Sequence, residues 1–356
     1  MTTAVVSDEP RAKAKLTIDR ISSGLDNHLI PVVGQVVRII KDISGRADRM
    51  SVNDLAETIS SEPTTMGRII SIAGSVGYNS TGAEIKSVHH AISLIGFDRV
   101  RSLAISILLF EHSQSDRTTR ANRELAGGAF VSGLIAAEMG QRVMLIDPEL
   151  AFICGALRGY GRILAATFLP KEYAESLEPG WQDRPDESFK SVFGVAPLEL
   201  GRQVMARLQL PKFILNSFVT LPASARKRSA SNATVSLIAA ADFGWRTAEL
   251  LQHPGLTCDN FDIRLEEMSR EYDPAFLVSR EGARELLHRI VAVLDAFRFR
   301  ANSYVGSVVL FRRLEQLASE QRLAPQPETV FRPVISAAVA RPRTAAEEGT
   351  IGEFEI

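Results

Sequence analysis

The sequence predicts an all-α protein, a multi-helix bundle, and three observations carry that reading. Apolar residues recur at helical spacing along nearly the whole chain. Strand-like alternation is hard to find. Capping residues, prolines and glycines fall at intervals that suit helices of two to five turns.

The first predicted element runs from Ala14, with Leu16, Ile18 and Ile21 on one face. After Pro31 the apolar set Val32, Val33, Val36, Val37, Ile39 and Ile40 continues the pattern. Residues 1–13 are expected to be a flexible amino terminus. Ser51 and Asp54 have the spacing of a capping box ahead of Leu55, Ala56 and Ile59, so a short helix is predicted to start there. Pro63 opens a second helix through Met66, Ile69, Ile70 and Ala73, and Gly77 and Asn79 stop it. Further helices are predicted from about Val88 to Leu94, then after a break at Gly96 from about Asp98 to Phe110. Others follow at Asn122–Met139, Pro148–Leu157, Arg162–Leu169, Leu198–Leu208, Thr234–Leu251 and Glu281–Phe297. Residues 179–187 read as a loop, and residues 222–233 as a connector carrying the basic run Arg226-Lys227-Arg228. From residue 321 onward, prolines with small and charged residues between them predict a flexible tail. No internal repeat of fixed period is evident.

A chain of 356 residues with 45% apolar content can build a substantial core. Its 41 basic and 42 acidic residues leave a net charge of -1, so no global field favours nucleic acid or an anionic membrane as partner. Cys154 and Cys258 each stand alone, outside any paired framework, and fit a reduced, cytoplasmic setting. No segment reaches about 18 uncharged apolar residues, the length a membrane helix needs.

The candidates for chemistry are few. A metal site needs imidazole, thiolate or carboxylate groups converging on one point. Four of the six histidines are scattered, and the adjacent His89 and His90 point about 100° apart on a helix, too divergent to chelate one ion well. They read as structural, one toward the core and one toward solvent. Gly155, Gly159 and Gly161 give G-x-x-x-G-x-G without the Lys-Ser/Thr of a phosphate loop, and the pattern lies between helices. It reads as a tight turn with close helix packing. Arg158 and Arg162 are candidate anion contacts at the start of the next helix, where backbone amides are free. No serine sits in a nucleophile elbow and no cysteine in a catalytic signature. The basic spots at Arg99, Arg101 and residues 226–228 lack the interleaved aromatics that single-strand binding uses, and read as solvated faces or protein contacts.

Four segments, at residues 28–43, 51–79, 85–106 and 152–175, resemble in order and spacing the HDOD family, the bacterial HD-related output domain. Glu62-Pro63 and Ala73-Gly74-Ser75 stand for that family's Asp-Pro and Ala-Asn-Ser. The resemblance covers roughly residues 25–225. It implies a domain over 14–225, with an amino-terminal helical part to about residue 120 and an HD-like part beyond it. The helices of 226–320 are then expected to complete the bundle.

The family is similar to the HD phosphohydrolases, whose metal is held by His and Asp ligands. By that similarity Arg158 and Gly159 stand at the His-Asp pair, Gly128 at an earlier His and Pro197 near a later one, while Asp242 alone keeps a ligand-type side chain. The resemblance therefore implies no catalytic residue, no metal and no cofactor. It implies a non-catalytic signalling protein acting on other signalling proteins; charge beside a strongly apolar helix makes Asp98, Arg99 and Arg101 the expected partner surface. Two alternatives remain open. One is a metal-dependent phosphohydrolase or cyclic-nucleotide phosphodiesterase with an altered site around Arg158, Arg162 and Asp242. The other is a sensor that binds a nucleotide without turnover.

Overall fold

The computed structural model describes residues 8–26, 51–60, 85–97, 120–143, 145–177, 185–253, 255–300 and 308–320, with residues 66, 69, 70, 73, 100, 101 and 104. Every regular element among the described residues is a helix. The expected tail from residue 321 and the helix after Pro31 lie outside the described residues.

Helix α1 (Asp8–Asp26) begins six residues before Ala14 and so takes in part of the stretch expected to be flexible. The reason is tertiary. Thr17 donates to the Phe193 carbonyl at 3.0 Å, and Arg207 reaches Asp19 at 2.8 Å, so the helix is tied at several points to residues far along the chain. Helix α2 (Val52–Ser60) starts at the predicted capping box: Ser51 N–H donates to Asp54 Oδ2 at 2.8 Å, and Asp54 N–H to Ser51 Oγ at 3.1 Å. Helix α3 (Val88–Ile95) is capped by Ser87 and ends at Gly96, whose φ of 97° is open to glycine at little cost. On it His89 is exposed and bonded to Asn53, while His90 is half-buried.

The centre of the molecule is built from α4 (Arg120–Arg142), α5 (Pro148–Arg158) and, much later, α12 (Ala233–Gln252). These three cross at very short range. A Cβ on Gly155 or on Gly244 would run into the backbone of Ser132 on α4, so only hydrogen atoms fit between the helices there. Ser132 Oγ, fully buried, donates to the Gly155 carbonyl at 3.0 Å and adds a polar tie to the contact.

Around this centre lie α6 (Tyr160–Phe168), α7 (Pro170–Glu175), α8 (Pro185–Phe193) and α9 (Pro197–Arg207), three of which open on proline. Helix α8 starts inside the stretch read as a loop, because Pro185 can begin a helix and Phe189 and Phe193 give it a buried face. Short helices α10 (Lys212–Asn216) and α11 (Ala223–Arg226) follow, the second within the predicted connector. Helices α13 (Cys258–Ser269), α14 (Arg280–Arg300) and α15 (Val309–Glu320) close the far side. One continuous cluster of buried apolar side chains runs from Ile18 to Ala318 and joins helices from both sides of residue 226.

Candidate functional site

The site grows from the end of α5. Arg158 is its last residue, and Gly159 passes the chain directly into α6. Gly159 has φ of -76° and Gly161 is not in the left-handed region, so the glycines are not there for an unusual turn. They are there for approach. A Cβ on Gly161 would overlap the Pro197 carbonyl at the start of α9, and one on Gly159 would strike the Trp245 ring on α12.

Asp242 faces Arg158 from α12. The guanidinium donates to Asp242 Oδ1 at 2.6 Å and to the Ser217 carbonyl, and the two side chains are only 3% and 5% exposed. The other carboxylate oxygen, Oδ2, accepts from the Tyr272 hydroxyl at 2.6 Å. Tyr272 is itself held by Phe243, in an edge-on contact at 5.3 Å, and by Phe276 at 5.9 Å. Burial lowers the affinity of Arg158 for its proton, and the Asp242 charge opposes that; arginine has so far to fall that the ion pair persists. Burial and then Asp242 push the Tyr272 phenol well above its ordinary value, so it stays a hydrogen-bond donor. Cys154, one turn before Arg158, is pushed up to about 12 by burial, which removes it as a nucleophile.

A cavity of about 320 Å³ opens above this pair. Arg158, Arg162, Arg226 and Arg246 line it, with carboxylates from Asp186, Asp242 and Glu249. Arg162 pairs with Asp186 at the mouth, where that carboxylate is 69% exposed, and lies over the Phe189 ring at 5.6 Å. Arg246 grips Glu271 with two bonds of 2.9 Å, and Arg226 joins the same carboxylate at 2.6 Å. Both guanidiniums also cover the Tyr272 ring, at 5.7 and 5.9 Å.

Of the positions singled out in the sequence, the fold brings Arg158, Gly159, Arg162, Pro197 and Asp242 to this one cavity. Gly128 is not among them. It sits on α4 against Gln252, ten residues along α12 from Asp242, or about 15 Å of helix. Arg101 is 6% exposed, so its reading as a solvated or partner-facing charge is corrected: the apolar helix pattern around it carries it into the interior. Asp98 and Arg99 lie outside the described residues. Arg226 is also corrected, from a solvated face to a lining residue paired with Glu271.

Trp245, Arg246 and Glu249 were not singled out, although their offsets of three, four and seven from Asp242 put them on its helix face. Tyr272 left no signal in the sequence, being 30 residues from the carboxylate it serves.

The metal of the HD phosphohydrolases does not fit these residues. Both oxygens of Asp242 already accept short bonds from cations or hydroxyls of the protein, and a guanidinium fills the space beside them. Among the described residues no imidazole or thiolate lines the cavity, and no three His, Cys, Asp or Glu groups converge as a metal would need.

No helix among the described residues is long and apolar enough to cross a membrane. Among curated proteins none matches the sequence. Solved structures do match. An HDOD domain protein from Geobacter sulfurreducens superposes with a TM-score of 0.56 at 15% identity, covering 80% of this chain and 97% of that one. A protein provisionally described as a phosphohydrolase, from Shewanella amazonensis SB2B, gives 0.54 at 16% identity, covering 83% and 98%. One provisionally described as a signal transduction protein, from Marinobacter aquaeolei VT8, gives 0.54 at 17% identity, covering 84% and 68%. At these identities the likeness is one of fold. The HDOD domain model matches residues 30–220, more than half of the sequence, and this chain belongs to the HDOD family.

Proposed function

We propose that this chain is a non-catalytic regulatory protein that passes signals through contacts with other signalling proteins. The Arg158–Asp242 pair carries the reading. A metal ion in this position would lower the pKa of bound water to about 7, on the order of 12 kcal/mol of nucleophile activation. A guanidinium supplies the positive charge and none of that activation, since it has no open coordination position for water. The likeness of fold to a protein described as a signal transduction protein supports the regulatory side of the reading. In this view the helices of 226–320 complete the HD-like unit, as the packing of α12 against α4 and α5 supports.

Elemental analysis of the untagged protein, purified without chelator, tests the central claim. Transition metal far below one ion per chain, with no hydrolysis of a chromogenic phosphodiester, is the expected result. A stoichiometric ion overturns it. With Arg101 buried, the partner surface narrows to Asp98 and Arg99. Charge reversal at Arg99 is expected to weaken partner capture, and unchanged capture removes that surface from consideration.

A further inference from the structure

We propose that the cavity above the Arg158–Asp242 pair is a binding site for a phosphate-bearing small molecule, held by Arg162, Arg226 and the amino-terminal end of α9. This deepens the reading of the cavity as non-catalytic and rests on it, because the ligand leaves as it entered.

Three independent features point to an acceptor-rich anion. The first is an excess of donors. Each guanidinium offers five N–H groups and accepts none, and four guanidiniums line the cavity.

The second is a helix end. Ala196 caps α9 and lines the cavity, and the helix has no side-chain cap. Free backbone amides and the positive end of the α9 dipole therefore face this space. An anion there satisfies that end.

The third is the state of Arg162. Its side chain is 10% exposed, yet its carboxylate partner Asp186 is 69% exposed and sits at the mouth. An incoming phosphate can take the place of Asp186 on a guanidinium that is already positioned, while Asp186 turns to water. Arg158 cannot be released in this way, because Asp242 is as buried as it is.

The size and the remaining walls define the rest of the ligand. A volume of about 320 Å³ falls in the small-molecule range and leaves room beyond a phosphate group. Half-buried Trp245, with Leu198 and Pro197, offers an apolar wall against which an organic body can lie.

The test is calorimetric titration of the full chain with inorganic phosphate, phenyl phosphate and benzoate, with phenol release measured in the same samples. Phenyl phosphate is expected to bind one to one, at least about tenfold tighter than either of the others, since each loses one half of the recognition. Arg162→Ala should weaken phenyl phosphate by about tenfold or more, and Asp186→Ala should tighten it by removing the competing carboxylate. Asp186 is an exposed side chain, so its variant reads binding without a folding defect. Absence of phenyl phosphate binding overturns the site and leaves the non-catalytic function standing, as does an Asp186→Ala variant that binds more weakly. Phenol release overturns the non-catalytic function and leaves the site standing.

Discussion

Arg158 and Arg162 are four residues apart, line the same cavity and each pair with an aspartate, yet they are different kinds of ion pair. At the floor both partners are buried, and the carboxylate is completed by Tyr272. At the mouth the guanidinium is buried and the carboxylate stands in water. A charge buried on both sides can leave only at the full cost of desolvation, whereas a half-exposed pair exchanges its partner for water at little cost. Burial of the second partner thus decides which arginine is part of the framework and which is free to meet a ligand.

The floor should be the more sensitive region. Arg158→Ala leaves Asp242 charged and buried beside a phenol, and is expected to cost about 3–5 kcal/mol, read as a lowered midpoint in urea unfolding. A double variant, Arg158→Met with Asp242→Leu, removes both charges together and should recover most of that loss. If the double variant is as unstable as the single one, the floor pair is not an isolated framework pair and the contrast with Arg162 fails.

An intermediate effect is expected between the two regions, at the helix junction that holds them in one cavity. Gly161→Ala places a methyl group against the Pro197 carbonyl, forcing α6 and α9 apart at an expected cost of about 1–3 kcal/mol. Thermal unfolding measures this, and a variant as stable as the parent would show that the two helix ends can separate freely.

The mouth should respond least. Asp186→Ala removes a carboxylate that is mostly in water and is expected to change stability by less than about 1 kcal/mol in the same urea experiment. A loss matching that of the floor variant would make the mouth pair structural and remove the asymmetry on which ligand exchange depends.

Much of the fold was legible in residues that act locally. Ser51 and Asp54 announced α2, Gly96 closed α3, and the apolar spacing of residues 148–157 and 234–251 marked the two helices that carry the site. These signals depend on neighbours within one or two turns, so sequence order preserves them. Helix α8 was missed because its polar start resembles a loop until Phe189 and Phe193 find a core to enter. The glycine pattern at 159 and 161 predicts close packing, which holds, and a tight turn, which their backbone angles do not require.

By itself, then, the sequence determined that the chain is helical and that it has the HDOD pattern, and it set arginine and glycine at positions 158 and 159. Only the tertiary structure decided what that arginine does. It brought Asp242 from 84 residues away to neutralise Arg158, and closed the carboxylate with Tyr272 from still further along the chain. It also buried Arg101, drew Arg226 into a cavity wall and set Gly128, on α4, against Gln252 at the far end of α12. The physical reason is that burial and pairing of a charge depend on which distant helices approach it, and residue type or local spacing does not record that approach.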